Sequence, residues 1–145
     1  ADNAPFQWAS SGTGTTIEFS STDDINIITL KGGEITVKGT TTPVMAAVID
    51  GNATLTVDPT TAFVVVISLE VKGTLKADKP IYGATAASTI TFDSGAALCG
   101  DYVGTNSGNF YASGSTDKEA ATAGKTYTWA ANAGGDSVAG WKAGS

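Results

Sequence analysis

The chain has no histidine, no arginine and a single cysteine, Cys99. Without histidine the commonest general base, metal ligand and pH switch is missing, and Ser-His-Asp and Cys-His chemistry are excluded. One cysteine permits no disulfide within the chain. Cys99 is expected to pack as a small apolar residue, the alternative being a bridge to another chain. Cations are scarce as well: eight Lys stand against 14 acidic residues, for a net charge of −6 and a pI near 4.3. Phosphate backbones are held by clustered cations, so this balance argues against nucleic acid as a partner. No run of 18 apolar residues occurs, the richest being 62–69, so no membrane-spanning helix is expected. Helix-forming composition is confined to Asp117–Ala123, which at seven residues without an apolar stripe is too short to hold a helix by itself.

Charged residues make up 15 % of the chain, against roughly 25 % in ordinary globular domains. With 22 Thr, 22 Ala and 18 Gly, the exterior is expected to be neutral, hydroxyl-rich and suited to close contact with copies of itself. At 145 residues the chain is long enough for one domain with a real core. It starts at Ala1, as removal of a signal peptide or trimming would leave it.

Against this background five segments share one shape: Thr16-Ile17-Glu18-Phe19, Glu34-Ile35-Thr36-Val37, Thr54-Leu55-Thr56-Val57, Thr74-Leu75-Lys76-Ala77 and Thr89-Ile90-Thr91-Phe92. Their starts lie 18, 20, 20 and 15 residues apart. Three more continuously apolar segments intervene, Ile25–Leu30, Val44–Ile49 and Phe63–Leu69, each about nine or ten residues after its tetrad. Gly32-Gly33, Gly39, Asp50-Gly51, Asp58-Pro59 and Asp78-Lys79-Pro80 supply the turn chemistry between them. A period near 20 with alternating polar and apolar positions predicts an all-β parallel solenoid (β-helix), with equivalent strands of successive coils paired and the second and fourth tetrad positions forming the core. The alternative is a β-sandwich, whose strands recur every 8–12 residues without a higher-order repeat.

A single domain is expected, with an N-terminal arm at 1–14, regular coils over 15–95, and less regular coils with a C-terminal end over 96–145. Thr126-Tyr127-Thr128-Trp129 repeats the alternation 37 residues after Thr89, close to two coils. The tetrads with their turns, GNATLTVDP, VKGTLKADKP and STITFDSGA, resemble those of secreted bacterial right-handed parallel β-helix proteins of the cell surface. That resemblance covers roughly 15–95 and implies an extracellular location with a structural or adhesive role. It carries no catalytic residues across, because the clustered acidic and basic residues of the pectate-lyase-like enzymes of that fold find no match here.

Candidate chemistry is thin. Calcium in solenoids is bound by a repeated GGxGxD nonapeptide, whereas Gly-Gly precedes an acidic residue here only at Gly134-Gly135-Asp136 and Gly32-Gly33-Glu34. Asp23 and Asp24 read as solvated turn residues. Asp58, Asp78 and Asp93 each follow a tetrad, and in a solenoid they would stack on one corner, relieved by Lys38, Lys76 and Lys79. Turn chemistry accounts for them better than glycoside hydrolysis does. No cofactor, metal or catalytic residue is expected. Thr54, Thr74 and Thr89, with Thr36, Thr56 and Thr91, form outward Thr columns that resemble ice-binding faces, interrupted by Glu18, Glu34, Lys72 and Lys76. Tyr82, Tyr102, Tyr111 and Tyr127 are candidate glycan contacts, so polysaccharide is a candidate partner. Asn52-Ala53-Thr54 is a glycosylation sequon at an expected turn.

A solenoid has two ends whose backbone groups need a cap or a partner. Both ends of this chain offer aromatics on small-residue segments. The sequence therefore points to a secreted, non-enzymatic structural subunit that self-associates head to tail into a filament or surface layer, with Phe6 and Trp8 engaging the next copy and Trp129 and Trp141 receiving them.

Overall fold

A computed structural model of the chain describes residues 5–9, 15–19, 26–78 and 80–144. Asp23, Asp24 and Lys79, and all of the N-terminal arm outside 5–9, lie outside the described residues. Among the described residues the protein is all-β, with no helix, and Asp117–Ala123 is irregular apart from a single bridge between Lys118 and Tyr111. The strands are β1 (Pro5–Ala9), β2 (Thr15–Phe19), β3 (Asn26–Ile49), β4 (Ala53–Val71), β5 (Thr74–Ala77), β6 (Ile81–Gly83), β7 (Thr89–Phe92), β8 (Ala97–Cys99), β9 (Phe110–Tyr111), β10 (Thr126–Ala130) and β11 (Gly140–Ala143). Hydrogen bonds link them into one network of parallel and antiparallel pairs.

From β1 to β8 every pairing is parallel. Thr54 pairs with Thr74 and Leu55 with Leu75, so the chain lies beside its own earlier segment after 20 residues. Three series of such pairs run side by side. One joins β2 to 35–39 of β3, then 53–57 of β4, β5 and β8. A second joins 42–44 to 63–65 and to β6, and the third joins 46–49 to 68–71 and to β7. Each intervening apolar segment of the middle repeats therefore contributes to two series instead of one.

The three tetrads from Thr54 onward obey the expected alternation. Leu55, Val57, Leu75, Ala77, Ile90 and Phe92 are buried, while Thr54, Thr56, Thr74, Thr89 and Thr91 are half-buried and Lys76 is exposed. Two tetrads nevertheless sit differently from the sequence alignment. Thr16 pairs with Thr36, so β2 is displaced by two residues from the expected register, which brings Glu18 beside Lys38 and Lys38 beside Asp58. The Thr89 tetrad belongs to the third series, beside Ser68–Val71, and Ala97-Leu98-Cys99 takes the place after Thr74–Lys76. Its odd spacing of 15 residues reflects that change of series. Asp93 consequently lies next to Glu70 and does not stack above Asp58 and Asp78.

Two register shifts in the β3–β4 pairing bend the long strands. One falls at Gly39, and at the other Val44 and Ala46 pair with Val65 and Ser68, so that Met45 faces both Val66 and Ile67. The extra residue breaks the alternation of the Phe63–Leu69 run: Phe63, Val65 and Leu69 are buried, but Ile67 is turned out and 51 % exposed. Ser88, the one buried polar residue among those described, ties this bulge down by donating to the Val66 carbonyl at 2.7 Å while accepting from the amides of Ala84 and Thr85. Asp50-Gly51 forms the expected turn, whereas Gly32-Gly33, Gly39 and Asp58-Pro59 lie within the continuous strands β3 and β4.

After β8 the pairing changes direction. β10 runs antiparallel to β7 and to β11, and β11 runs parallel to β9. The Thr126–Trp129 alternation thus does not continue the parallel series, although it keeps the same inside and outside, with Tyr127 buried and Thr126 exposed.

Candidate functional site

The two ends of the parallel series are built differently, and the difference begins with the aromatic residues. After β7 the chain is rich in large rings: Tyr102, Phe110, Tyr111, Tyr127, Trp129 and Trp141. Phe110 meets Tyr127 at 5.1 Å, Tyr102 at 5.5 Å and Phe92 at 6.1 Å between ring centres, and Trp129 meets Trp141 at 5.1 Å, most of these contacts being edge-on. Such pairs add about 0.5–1.5 kcal/mol each beyond their burial.

These rings close the C-terminal end of two of the three series. In the third, the open side of β7 is taken by β10. In the second, side chains do what a strand would otherwise do: the Ile81 carbonyl of β6 accepts from Trp141 Nε1 at 2.9 Å and from the Tyr102 hydroxyl at 2.8 Å. The Tyr102 hydroxyl also meets Asn109 Oδ1. Trp129 covers Gly83, where a Cβ would overlap its side chain. The first series ends at β8, a three-residue strand whose pairing partner is β5.

A second cluster locks the closure. Tyr127 donates to Glu119 Oε2 at 2.5 Å, and Lys125 Nζ bridges both Glu119 oxygens at 3.1 Å. Burial first, then the Glu119 carboxylate, push the Tyr127 phenol well above its ordinary range, and burial does the same to Tyr102. Both phenols therefore stay protonated and serve as hydrogen-bond donors. Lys142 reaches the carbonyls of Ser115 and Ala133, holding the two loops beside β11.

The N-terminal end has no such cover among the described residues. β1 pairs with β3 through Pro5–Ala9 and Ile27–Gly32, and β2 pairs with β3 through Thr15–Phe19 and Ile35–Gly39. Among the described residues each has that single partner. The segment holding Phe6 and Trp8 thus pairs with the chain's own β3. Their side chains lie outside the described residues.

Other expected contacts are redistributed. Trp141 is fully buried and hydrogen-bonded inside the molecule, so it is a core residue and not a receiving surface; Trp129 is half-buried beside it. Tyr102, Tyr111 and Tyr127 are likewise interior, because their rings fill the C-terminal closure, and they are not placed to touch a glycan. Tyr82 alone of the four tyrosines is on the surface, 38 % exposed and edge-on to Trp129 at 6.1 Å. Asn52 is exposed on its turn. Cys99, expected inside, is exposed, because the second and fourth positions of its series point inward and Cys99 occupies the third.

Ser88, Glu119 and Lys125 were not distinguishable in the sequence: a serine within GATAAST and two charges in an irregular stretch carry no pattern. Among the described residues no group of three or more Cys, Asp or Glu is arranged to hold a metal ion, and no helix is long and apolar enough to cross a membrane. No protein-family model, curated protein or solved structure matches the chain significantly.

Proposed function

We propose that this chain is a secreted, non-enzymatic structural protein, a parallel β-solenoid with coils of about 20 residues, that assembles with copies of itself through the end formed by β1 and β2. The observation that carries the proposal is the inequality of the two ends. Aromatic side chains and an antiparallel ribbon cover most of the C-terminal end, while among the described residues two strands at the N-terminal end have one partner each. Open strand edges are templates for further strands unless charge, proline or a bulge protects them. β2 reads Thr-Thr-Ile-Glu-Phe, with one charge and no proline.

The solenoid assignment is supported by the parallel pairing of residues 20 apart and by the three series it generates. The neutral, threonine-rich composition favours close packing of copies in a surface layer or filament. Light scattering and negative-stain microscopy of the purified chain test the proposal. Association that rises with concentration and is lost on deleting residues 1–19 supports it, and a monomer at every concentration refutes it.

A second reading is favoured by one feature. Tyr82, 38 % exposed beside half-buried Trp129, is an aromatic surface of the kind that polysaccharide rings stack on. Binding to polysaccharide that Tyr82→Ala abolishes would support an adhesive module. Thermal hysteresis would favour ice binding by the Thr columns, although Thr91 and Thr126 lie 3.2 Å apart and satisfy one another's hydroxyls.

A further inference from the structure

We propose that Asn52 accepts an N-linked glycan, held on a side corner of the stack. The proposal rests on the secreted reading above and adds a modified residue to it. Asn52-Ala53-Thr54 is the one Asn-x-Ser/Thr triplet of the chain, and the fold puts its asparagine where a bulky sugar has room. Ile49 lies beside Val71 and Thr54 beside Thr74, so the chain takes five steps round this corner where the next coil takes three. The extra length is the turn Asp50-Gly51-Asn52, closed by the Ala53 amide donating to the Asp50 carbonyl at 2.9 Å. Gly51 and Asn52 are both exposed, and a Cβ on Gly51 would meet nothing within 4 Å. The shorter corner, Lys72-Gly73, is recessed against it. Both of its amides donate to the Ile49 carbonyl, at 2.8 and 3.1 Å, and a Cβ on Gly73 would overlap the carbonyls of Asp50 and Ala53.

The coil after that makes the long turn again. Phe92 lies beside Val71 and Ala97 beside Thr74, and Asp93-Ser94-Gly95 is closed by the Ala96 amide donating to the Asp93 carbonyl at 2.9 Å. Asn52 thus stands on one of two long corners separated by a recessed one, two strand spacings or about 10 Å apart. At this corner β4 has β3 on one side and β5 on the other, so a glycan on Asn52 sits at mid-stack and leaves the proposed end-on contact free. Asn106 and Asn132 are exposed too, but each is followed two residues on by a glycine, Gly108 or Gly134, in place of the hydroxyl that the acceptor triplet needs. Attachment joins Asn52 Nδ2 to the anomeric carbon of a lipid-linked oligosaccharide diphosphate. The new C–N bond replaces the C–O bond to phosphate, the lipid diphosphate leaves, and the amide gives up one proton. Ala53 is buried and Thr54 half-buried in β4, so the transfer precedes the pairing of these residues with Gly33-Glu34 and of Thr54 with Thr74.

The test directs the full chain into a eukaryotic secretory pathway behind a cleaved signal peptide and measures intact mass and peptide maps on the total chain, from cells and medium together. One glycan increment on 14.5 kDa is expected, removed by an amidase that releases N-glycans and leaves an aspartate in place of Asn52. Asn52→Gln and Thr54→Val should abolish the increment, whereas Thr54→Ser, which keeps the hydroxyl, should retain it. An unmodified chain, or an increment that persists in Asn52→Gln, would overturn the site. The signal peptide is supplied, so that failure counts against the site and not against the secreted reading. Light scattering before and after glycan removal should report the same association. Association that appears only after removal would overturn the placement of the glycan clear of the end-on contact. No association in either form would overturn the end-on assembly and leave the modified residue standing.

Discussion

Replacing Trp141 by Ala separates the two places this residue could occupy. On a subunit-receiving surface the change would alter stability by no more than about 0.5 kcal/mol. The structure instead buries the ring completely, donates its Nε1 proton to the Ile81 carbonyl at 2.9 Å, and sets it edge-on to Trp129 at 5.1 Å. Truncation of a buried Trp costs about 3–5 kcal/mol through lost transfer energy and the cavity left behind. Within that total, the hydrogen bond contributes about 1 kcal/mol and the aromatic pair a similar amount. The Ile81 carbonyl keeps the Tyr102 hydroxyl at 2.8 Å, so the loss leaves no orphaned acceptor and the lower half of the range applies. For a domain of this size each kcal/mol moves Tm by about 2–5 °C, which gives an expected fall of roughly 6–20 °C. Thermal unfolding followed by far-ultraviolet circular dichroism measures it without relying on tryptophan emission. Trp141→Phe should recover more than half of the loss. A Trp141→Ala protein melting within 2 °C of the parent would refute the argument that this ring closes the C-terminal end.

Three further outcomes are expected. Gly73→Ala should destabilise by about 1–3 kcal/mol in urea titration, because a Cβ there overlaps the backbone carbonyls of Asp50 and Ala53, neither of which has room to yield. Burial first, and then the adjacent Asp93, hold the Glu70 carboxyl above its usual value of 4.5, with Asp50 adding to the rise and Lys72 opposing it. The folded state then binds that proton more readily than the unfolded chain. The site's penalty is present at neutral pH and is relieved as pH falls through the folded pKa, so Glu70→Gln should raise Tm at pH 7 and gain less over the wild type near pH 4. Exposed Cys99 should react fully with a thiol reagent in the native protein, at a rate close to that in denaturant; protection of more than a hundredfold would contradict its exposure.

Periodicity carried the sequence reading a long way, and the places where it misled share a cause. Alternation of polar and apolar residues follows from the two-residue repeat of a strand, so the inward positions of the tetrads were legible without coordinates: Leu55 and Val57, Leu75 and Ala77, Ile90 and Phe92. Which strand a tetrad pairs with is not a local property. Thr89–Phe92 has the same pattern as Thr74–Ala77, yet it lies in another series, because a short connection after β6 brings it beside Ser68–Val71. The bulge opposite Met45 is equally silent, since Ile67 reads as one more apolar residue until the pairing on either side is known.

What the amino-acid sequence determined alone was an all-β chain with a 20-residue repeat, an interior of alternating apolar side chains, and no histidine chemistry or cationic surface. Local preference and side-chain period suffice for those, because each depends on residues only a few positions apart. The tertiary structure alone decided that the aromatics of 102–141 turn inward and seal one end, and that β1 and β2 pair with the chain's own β3. The sealing rings and the strands they cover are separated by up to 60 residues, as Trp141 and Ile81 are, and a contact over that distance depends on how the intervening chain is routed. Composition places aromatics near both termini of this protein; only that routing turns those of 102–141 into a plug.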